Sequence, residues 1–357
     1  MDPGGAGNPP RLPEQAASDP VPMPSACVVQ SHAKVGLLSE RLVVSASPAG
    51  DGKVEVLREI PIMDLDRLTI EETVSISSPA LAELLRRGIP INILGANGRF
   101  LGSFLPAQND HGQWRLRQYA RTLDSAFALA IARRLISAKI YNQRRLIQRL
   151  AANRGSDAAP ALHLLEGLLV QAGRATTIAE LRGLEGASTA RYFEAWAKFL
   201  PPEFPFERRS TRPPENPVNA CISYGAVLLY AEMASFLHAH GLDPALGLLH
   251  VTEDGRWSLA LDLIEPFRPV LVEALALDLF SHQILNAHHF EERNGGVFLA
   301  TEGKKKFLLQ YERRMERQFL SEAVGCRTTL RTELERQAGH YKAALDAPET
   351  FEPFVMN

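Results

Sequence analysis

The sequence has few cysteines and no long apolar run, and both absences limit what it can be. Its three cysteines, Cys27, Cys221 and Cys326, are odd in number and far apart, so they form neither a disulfide framework nor a CxxC zinc site. The most apolar stretch, Cys221–Leu237, contains Glu232 and is shorter than the ~20 apolar residues of a membrane span. These absences favour a protein of the reducing cytoplasm with no membrane segment.

Large apolar side chains are also scarce at the start of the chain. Residues 1–26 hold seven prolines and cannot bury enough surface to offset the entropy of ordering. The segment has neither the basic start nor the continuous apolar stretch of a signal peptide. We therefore expect residues 1–26 to form a disordered tail and expect no export.

The overall charge is nearly balanced, but its distribution is uneven. The chain has 357 residues, a length typical of two domains, and a formal charge of −2. That small negative charge argues weakly against a nucleic-acid partner. Residues 114–150, however, carry nine basic side chains and one acid, Asp124. Since local charge sets the field that a polyanion meets, this segment is a candidate for binding nucleic acid.

The segment from Cys27 to about Leu105 has the short apolar runs of a β-sheet domain. Strands are predicted at 35–38, 41–45, 54–62, 68–76, 91–94 and 100–104, with turns at Asp51-Gly52 and Asn97-Gly98. Residues 78–88 predict one short helix, with Ser78 as its cap, Pro79 in its first turn and Gly88 as its end.

Beyond Pro106 the apolar periodicity becomes helical. Helices are predicted at 115–150, 160–172, 177–199, 216–240, 262–288, 303–322 and 328–345. The predicted fold class is α+β. It consists of an N-terminal β-sheet domain with one short helix (27–105), a linker (106–113), a larger all-α domain (114–345) and a C-terminal tail (346–357).

Two separated positions in the helical part carry reactive side chains in distinctive contexts. Glu185 precedes Tyr192 by seven residues, and helical spacing puts both on one face. His250 ends an apolar segment that begins at Gly241. Taken alone, Glu185 fits a solvent-facing glutamate and His250 fits a hydrogen-bonded core or rim histidine. The residues themselves leave these alternatives open.

Asp262 and Glu265 form a third candidate, three residues apart at the predicted start of a helix. This spacing fits a helix capping box, a metal site, or both. Two carboxylates and one imidazole from separated segments meet the needs of a divalent ion. Oxygen ligands suit Mg²⁺, while an imidazole nitrogen favours Mn²⁺. Zinc is disfavoured because the chain has no HExxH motif.

Several segments, in this order, resemble one known family, the CRISPR-associated integrases, which are metal-dependent DNA endonucleases of spacer acquisition. The resemblance covers about residues 28–345. In the β domain it rests on Glu59–Ile62, Val74–Ala80, Arg87–Ile91 and Gly98–Gly102. In the helical domain it rests on Lys139–Arg144, Leu184–Gly186, Arg191–Phe193, Asn216–Asn219, Ser223–Gly225, Gly241–His250, Asp262–Pro269 and Gly303-Lys304.

The resemblance implies an all-α catalytic domain with a metal site formed by Glu185, His250 and Glu265, which bind Mg²⁺ or Mn²⁺. Many relatives have aspartate at the position of Glu265, so Asp262 is either a further ligand or an auxiliary residue. The other auxiliary candidates around this site are Arg268, Tyr192, Asn219 and Tyr224.

The resemblance also implies partners. These are double-stranded DNA (spacer precursor and CRISPR repeat), a second copy bound through the β domain, and a small ferredoxin-like adaptation protein that bridges two dimers. Basic side chains would hold the DNA backbone through contacts that carry little sequence information. The candidates are Lys139, Arg144, Arg145, Lys304 and Lys305, which alternatively form solvated helix faces.

The predicted function is metal-dependent phosphodiester hydrolysis and strand transfer, which inserts short foreign DNA into a CRISPR array. The alternative from another class is a catalytically silent DNA-binding scaffold of the same fold. A metallohydrolase acting on a small substrate ranks last, because it leaves the basic segment unexplained.

Overall fold

The computed structural model describes residues 25–47, 54–95, 100–106, 111–322 and 325–357. The predicted turns at Asp51-Gly52 and Asn97-Gly98, and the tail before residue 25, lie outside these ranges. A β-rich part comes first and a mostly helical part follows, so the predicted α+β fold class is confirmed.

Two four-stranded sheets build the N-terminal part. The elements are β1 (Ser25–Val28), β2 (Lys34–Leu38), β3 (Arg41–Ala46), β4 (Glu55–Pro61), β5 (Arg67–Glu71), β6 (Ser75–Ile76), α1 (Ser78–Arg86), β7 (Ile91–Leu94) and β8 (Phe100–Phe104). One sheet has the order β4-β3-β2-β6 and the other β1-β5-β7-β8. Leu42, Leu68 and Leu84 are fully buried in the core that joins the sheets to α1.

The first helix differs from its prediction at one end. Its cap is Ser77, whose side chain accepts a hydrogen bond from the Ala80 amide at 3.3 Å, not Ser78. Gly88 follows the helix with φ +79°, which favours glycine and confirms the predicted stop. The structure also has a strand that was not predicted, β1, which begins at Ser25, two residues before the predicted start of the β domain.

The C-terminal part is mainly helical. Its elements are α2 (Gly112–Thr122), α3 (Ser125–Arg154), α4 (Ala159–Arg174), α5 (Ile178–Trp196), α6 (Pro217–Ala239), α7 (Ser258–Ile264), α8 (Ala274–Ser281), β9 (Phe290–Arg293), β10 (Gly296–Leu299), α9 (Thr301–Glu316), β11 (Phe319–Ser321), β12 (Cys326–Thr328) and α10 (Leu330–Ala344). The long helix α3 packs against α4 and α5. The short strands form two hairpins, which apolar periodicity does not predict.

The helix predicted at 115–150 is divided in two. The helix is interrupted at Leu123-Asp124. The Asp124 carboxylate accepts hydrogen bonds from the amides of Ala126 and Phe127, at 3.0 and 3.2 Å. Asp124 is thus the N-cap of α3. The only acid in the basic segment therefore marks the start of a helix.

The prediction of a single helix over residues 262–288 is also wrong. Helix α7 begins at Ser258, so Asp262 lies within it and Glu265 is its C-cap. A π-helical turn over Arg268–Glu273 then leads into α8. A capping box at Asp262 and Glu265 is therefore excluded, because these residues are at the end of a helix and not at its start.

Helix α6 runs through the core. It is the one helix, within the described ranges, that is long and apolar enough to cross a membrane by length and composition, and 78% of its most apolar window is buried inside the protein. That burial is typical of a core helix of a globular domain.

Buried ion pairs join the two parts. Arg67 of β5 contacts Glu232 of α6 at 2.7 Å, and Arg331 of α10 contacts the same carboxylate at 3.3 Å. Glu71 of β5 pairs with Lys304 of α9. Because these side chains are almost inaccessible to solvent, the pairs fix the sheet against the helices.

Residues 346–357, predicted as a tail, pack against the helical domain. Phe351 is fully buried, and the Phe354 ring stacks on Phe267 with ring centroids 4.6 Å apart. Arg134, Arg145 and Arg149 of α3 donate hydrogen bonds to carbonyls of this C-terminal segment. The segment is therefore an integral layer over α3.

Candidate active site

Helix α5 positions Glu185. Thr177 caps this helix by accepting the Glu180 amide at 3.1 Å, and one turn after Glu180 the Glu185 side chain faces α3. The Glu185 carboxylate accepts a hydrogen bond from Thr189 at 3.0 Å and lies 2.5 Å from the Lys139 ammonium. Glu185 therefore faces a neighbouring helix and not open solvent.

Lys139 connects two of the predicted ligands. Its Nζ lies 2.5 Å from Glu185 Oε1 and 2.5 Å from Glu265 Oε2, so the two oxygens are at most about 5 Å apart. The lysine side chain is only 4% exposed. Burial lowers the pKa of Lys139, but the two carboxylates outweigh burial and raise it, so the ammonium stays charged.

The Lys139 contacts correct a sequence prediction. A buried ammonium between two acids is not a surface contact for DNA. The signal that could have found this position is the periodicity of α3, because Leu135, Asn142 and Leu146 on the same face are all buried. Charge composition alone assigned Lys139 to the solvent side.

A tight loop holds His250. Gly247 makes the loop possible, because a Cβ there would lie 2.2 Å from the His250 carbonyl oxygen. Arg182 of α5 donates hydrogen bonds to the Leu249 carbonyl at 2.8 and 2.6 Å. The helix that carries Glu185 is thereby tied directly to the segment that carries His250.

Asp262 orients the imidazole. Its Oδ1 lies 2.6 Å from His250 Nδ1 and accepts the His250 amide, while Oδ2 accepts the amides of Leu248 and Leu249. Burial lowers the pKa of His250, but the hydrogen bond and charge of Asp262 outweigh burial and raise it. Because Asp262 engages Nδ1 of His250, Nε2 is the ring nitrogen left to bind a ligand. Because both Asp262 oxygens are already engaged, Asp262 acts through His250.

Glu265 is the most buried of the three predicted ligands, with 3% exposure. Burial raises the pKa of Glu265, but the positive charges of Lys139 and Arg268 outweigh burial and lower this pKa to about 2. Arg268 lies 3.2 Å from Glu265 Oε1. The charge of His250 also lowers the Glu265 pKa.

The structure separates the other auxiliary candidates. Tyr192 is fully buried, and burial together with nearby Glu273 raises its pKa. Tyr224 packs edge-on against Phe307, with ring centroids 5.3 Å apart. Asn219 Oδ1 accepts hydrogen bonds from the Arg209 guanidinium and the Ser210 amide. Asn219 thus holds Arg209, and Tyr224 packs between α6 and α9.

Arg209 is a functional candidate that the sequence analysis missed. Asn219 and Ser223 hold its guanidinium at 2.9 and 3.0 Å. Burial and the neighbouring Arg268 lower the pKa of Arg209 to about 10, against the opposing charge of Glu273. Two arginines that share one neighbourhood create a positive region beside Glu265.

The remaining DNA-binding candidates also differ in their surroundings. Arg144 pairs with Glu166 at 2.7 Å, and Arg145 binds the Asn357 carbonyl at 3.0 Å. Lys304 is buried in its pair with Glu71, so it is not a surface DNA contact. Lys305 is exposed and pairs with Glu302 at 2.7 Å.

In the described part of the chain, no three imidazole, thiol or carboxylate groups stand close enough together to hold a metal as they are. Glu185 and Glu265 instead converge on Lys139, and His250 is held by Asp262, three residues before Glu265. The residues fit a divalent ion in their donor types, with two carboxylates and an imidazole whose Nδ1 a carboxylate already fixes. The oxygens that such an ion would use are those that now hold an ammonium.

Fold and site together define an α+β protein with an N-terminal sheet region and two carboxylates that converge in its helical part. The model of one family, described as "CRISPR associated protein Cas1", matches residues 27–313. The chain belongs to the Cas1 family.

Individual relatives agree with this assignment. The chain is 34% identical over 312 residues to a CRISPR-associated exonuclease Cas4/endonuclease Cas1 fusion of Rhodospirillum rubrum, covering 86% of this chain and 53% of the fusion. It is 32% identical over 303 residues to CRISPR-associated endonuclease Cas1 3 of Thermus thermophilus, covering 85% and 89%. The chain thus spans about half the length of the fusion protein that it matches.

Two solved structures are similar along most of the chain. A Cas1 protein from Thermotoga maritima has a TM-score of 0.76 at 25% identity, covering 94% of this chain and 99% of that one. A chain of a Cas6-RT-Cas1–Cas2 complex has a TM-score of 0.77 at 25% identity, covering 94% of this chain and 36% of that one.

Proposed function

We propose that this protein is a divalent-metal-dependent DNA endonuclease and integrase that inserts short foreign DNA into a CRISPR array. The observation that carries the proposal is the convergence of Glu185 and Glu265, from separate elements, on one cationic position, with His250 bound to Asp262 of the same helix end as Glu265. The names of the relatives, which include endonuclease Cas1, support the same activity.

The proposed metal ligands are Glu185, His250 Nε2 and Glu265, and the ion is Mg²⁺ or Mn²⁺. Bound there, the ion would polarise a phosphate oxygen and stabilise charge on the attacking or leaving oxygen. Asp262 holds the imidazole in one orientation through Nδ1, which leaves Nε2 available to a metal ion.

The cationic side chains have a separate task. Phosphodiester transfer concentrates negative charge around phosphorus, and fixed positive groups stabilise it. Arg268 contacts Glu265 and Arg209 lies near Arg268, so both are placed to attract a phosphate. With a DNA 3′-hydroxyl as nucleophile the outcome is integration, and with water it is cleavage.

The proposed partners are double-stranded DNA, a second copy of the chain and a small ferredoxin-like adaptation protein that bridges two dimers. The similar chain from a complex that contains Cas2 supports an adaptation partner. Exposed apolar side chains on the β4 sheet support dimerisation through the β domain: Leu38, Val54, Val56, Leu57 and Met63. We expect the protein in the cytoplasm, where this DNA is.

Strand transfer on supercoiled DNA in the presence of Mn²⁺ tests the proposal. We expect Glu185→Gln, His250→Ala and Glu265→Gln to lower cutting and integration by roughly 100-fold or more while duplex binding persists. Glu166→Gln, which removes a surface carboxylate paired with Arg144, is the matched control and should stay active.

The same assay distinguishes the proposed enzyme from the alternative, a catalytically silent DNA-binding scaffold. A scaffold predicts DNA binding without metal-dependent cutting in the wild-type protein. Full activity in a folded variant, checked by thermal melting, would remove that residue from the proposed ligand set.

A further inference from the structure

Lys139 occupies an unusual place for a lysine, inside the proposed metal site. Its ammonium contacts Glu185 Oε1 and Glu265 Oε2, both at 2.5 Å. The second oxygen of Glu265 is engaged by Arg268 at 3.2 Å. The oxygens that face each other across the site are therefore those that hold the lysine.

Local packing keeps the ammonium in this position. Lys139 lies in the middle of the 30-residue helix α3, and its side chain is 4% exposed. Its neighbours one turn along the helix, Leu135, Asn142 and Gln143, are buried as well. A buried ammonium needs paired acids, and two buried carboxylates need a cation, so each stabilises the other.

We infer that Lys139 is the resident cation of the site and competes with the divalent ion for Glu185 and Glu265. The inference rests on the proposed function, since it assigns the same two carboxylates as metal ligands. Glu185 Oε1 and Glu265 Oε2 would be free to hold a divalent ion once the Lys139 ammonium no longer lies between them. Lys139 thereby lowers the affinity of the site for metal and keeps the metal-free protein folded.

The competition has a second consequence, for stability. Without metal, the lysine neutralises the carboxylates, so chelation leaves the wild-type fold intact. Without the lysine, the two facing carboxylate oxygens of Glu185 and Glu265 lose the cation that they share, and a bound divalent ion would replace the missing charge. Ligand binding to the native state raises the melting temperature, and the rise grows with affinity.

The experiment compares wild type, Lys139→Met and Arg144→Met by Mn²⁺ titration with electron paramagnetic resonance and by thermal melting with EDTA or Mn²⁺. Arg144→Met is the matched control, because it removes a cation of the same helix whose partner, Glu166, is on the surface. We expect Lys139→Met to bind Mn²⁺ at least 10-fold more tightly than wild type. In EDTA its melting temperature should be lower than that of wild type, and Mn²⁺ should raise its melting temperature by more. Arg144→Met should behave like wild type.

Distinct results would overturn each idea. If wild type binds Mn²⁺ and folded Lys139→Met binds it equally or more weakly, Lys139 organises the site and the competition is refuted, while the metal site stands. If neither protein binds Mn²⁺, the proposed metal site fails together with the inference. Should Lys139→Met not fold in EDTA, Lys139→Gln, which is neutral but still donates hydrogen bonds, is titrated in its place, with the same tighter binding expected.

Discussion

Asp262 binds His250 at two points, its Oδ1 lying 2.6 Å from the ring Nδ1 and 3.0 Å from the backbone nitrogen. Together with the Leu248 and Leu249 amides, these contacts use both oxygens of a carboxylate with no solvent exposure. Asp262 is thus the centre around which the 248–250 loop is built.

We predict that Asp262→Asn destabilises the protein by about 2–4 kcal/mol, because an amide group must then face a backbone donor. Chemical denaturation measures the loss. Asp243→Asn is the control, since Asp243 accepts only one backbone amide in a partly exposed loop, that of Ala245, and should cost about 1 kcal/mol. Equal losses in both variants would contradict the role given to Asp262.

Protonation of His250 should contribute to stability in a defined pH range. Its folded pKa is raised above 6.5 by Asp262, so the protonated ring is bound more strongly in the folded state. The contribution is present below pH 6.5 and is lost as the pH rises through the folded pKa. We expect wild type to have a larger free energy of unfolding than His250→Gln, and we expect this difference to be larger at low pH than at high pH. Urea unfolding of metal-free protein on both sides of pH 6.5 is the measurement, and a constant difference would refute it.

The buried ion pairs between the two parts of the molecule should matter more than surface pairs. Arg67→Met leaves Glu232 with a weaker set of partners, and we expect a loss of about 3–5 kcal/mol. Glu59→Gln breaks an exposed pair with Arg41 and should cost less than about 1 kcal/mol. A calorimetric scan that also shows two separate transitions in Arg67→Met would indicate that the two parts have become uncoupled.

Two adjacent lysines on α9 offer a test of the DNA surface. Lys305 is exposed, whereas Lys304 is buried in its pair with Glu71. Lys305→Met should reduce the slope of log affinity against log salt by roughly one, as for the loss of one phosphate contact. Lys304→Met should leave that slope unchanged and lower the melting temperature instead. A changed slope in Lys304→Met would restore it as a DNA contact.

Asn142 of α3 should couple the C-terminal segment to the active site. Its side chain donates to the carbonyls of Pro266 and Phe354, at 2.7 and 3.1 Å, and accepts the Met356 amide at 2.7 Å. We predict that Asn142→Ala weakens Mn²⁺ binding about 10-fold, because Pro266 adjoins Glu265. Arg134→Ala is the control, since it loses two bonds to the same segment without touching Pro266. Similar Mn²⁺ affinities in the two variants would show that Asn142 is only structural.

Sequence patterns predicted most elements of the fold because their signals are local. Asn216 followed by Pro217 predicts the start of α6, and the Asn216 side chain does cap it, at 2.8 Å from the Asn219 amide. The start of α7 was missed because Trp257 provides no side-chain cap there. The hairpin β9–β10 turns at Asn294-Gly295, both with positive φ, but its strands have only four residues each.

The site was only partly predictable for a different reason. Family resemblance assigned Glu185, His250 and Glu265, but the partners of each depend on contacts far apart in sequence. Lys139 reaches Glu265 across 126 positions of the chain, and no spacing rule links them. Counting charges assigned the arginines of α3 to DNA, whereas several of them bind backbone carbonyls of the last ten residues.

The attachment of residues 354–356 to Asn142 has a consequence for biosynthesis. The segment that supports Glu265 completes its hydrogen bonds only with residues translated about ninety positions later. A nascent chain that still lacks them carries every proposed ligand, but its Asn142 side chain has only the bond to Pro266 and not those to Phe354 and Met356. Under the proposed function, metal binding and DNA cutting would therefore be weaker until residues 354–356 have been translated.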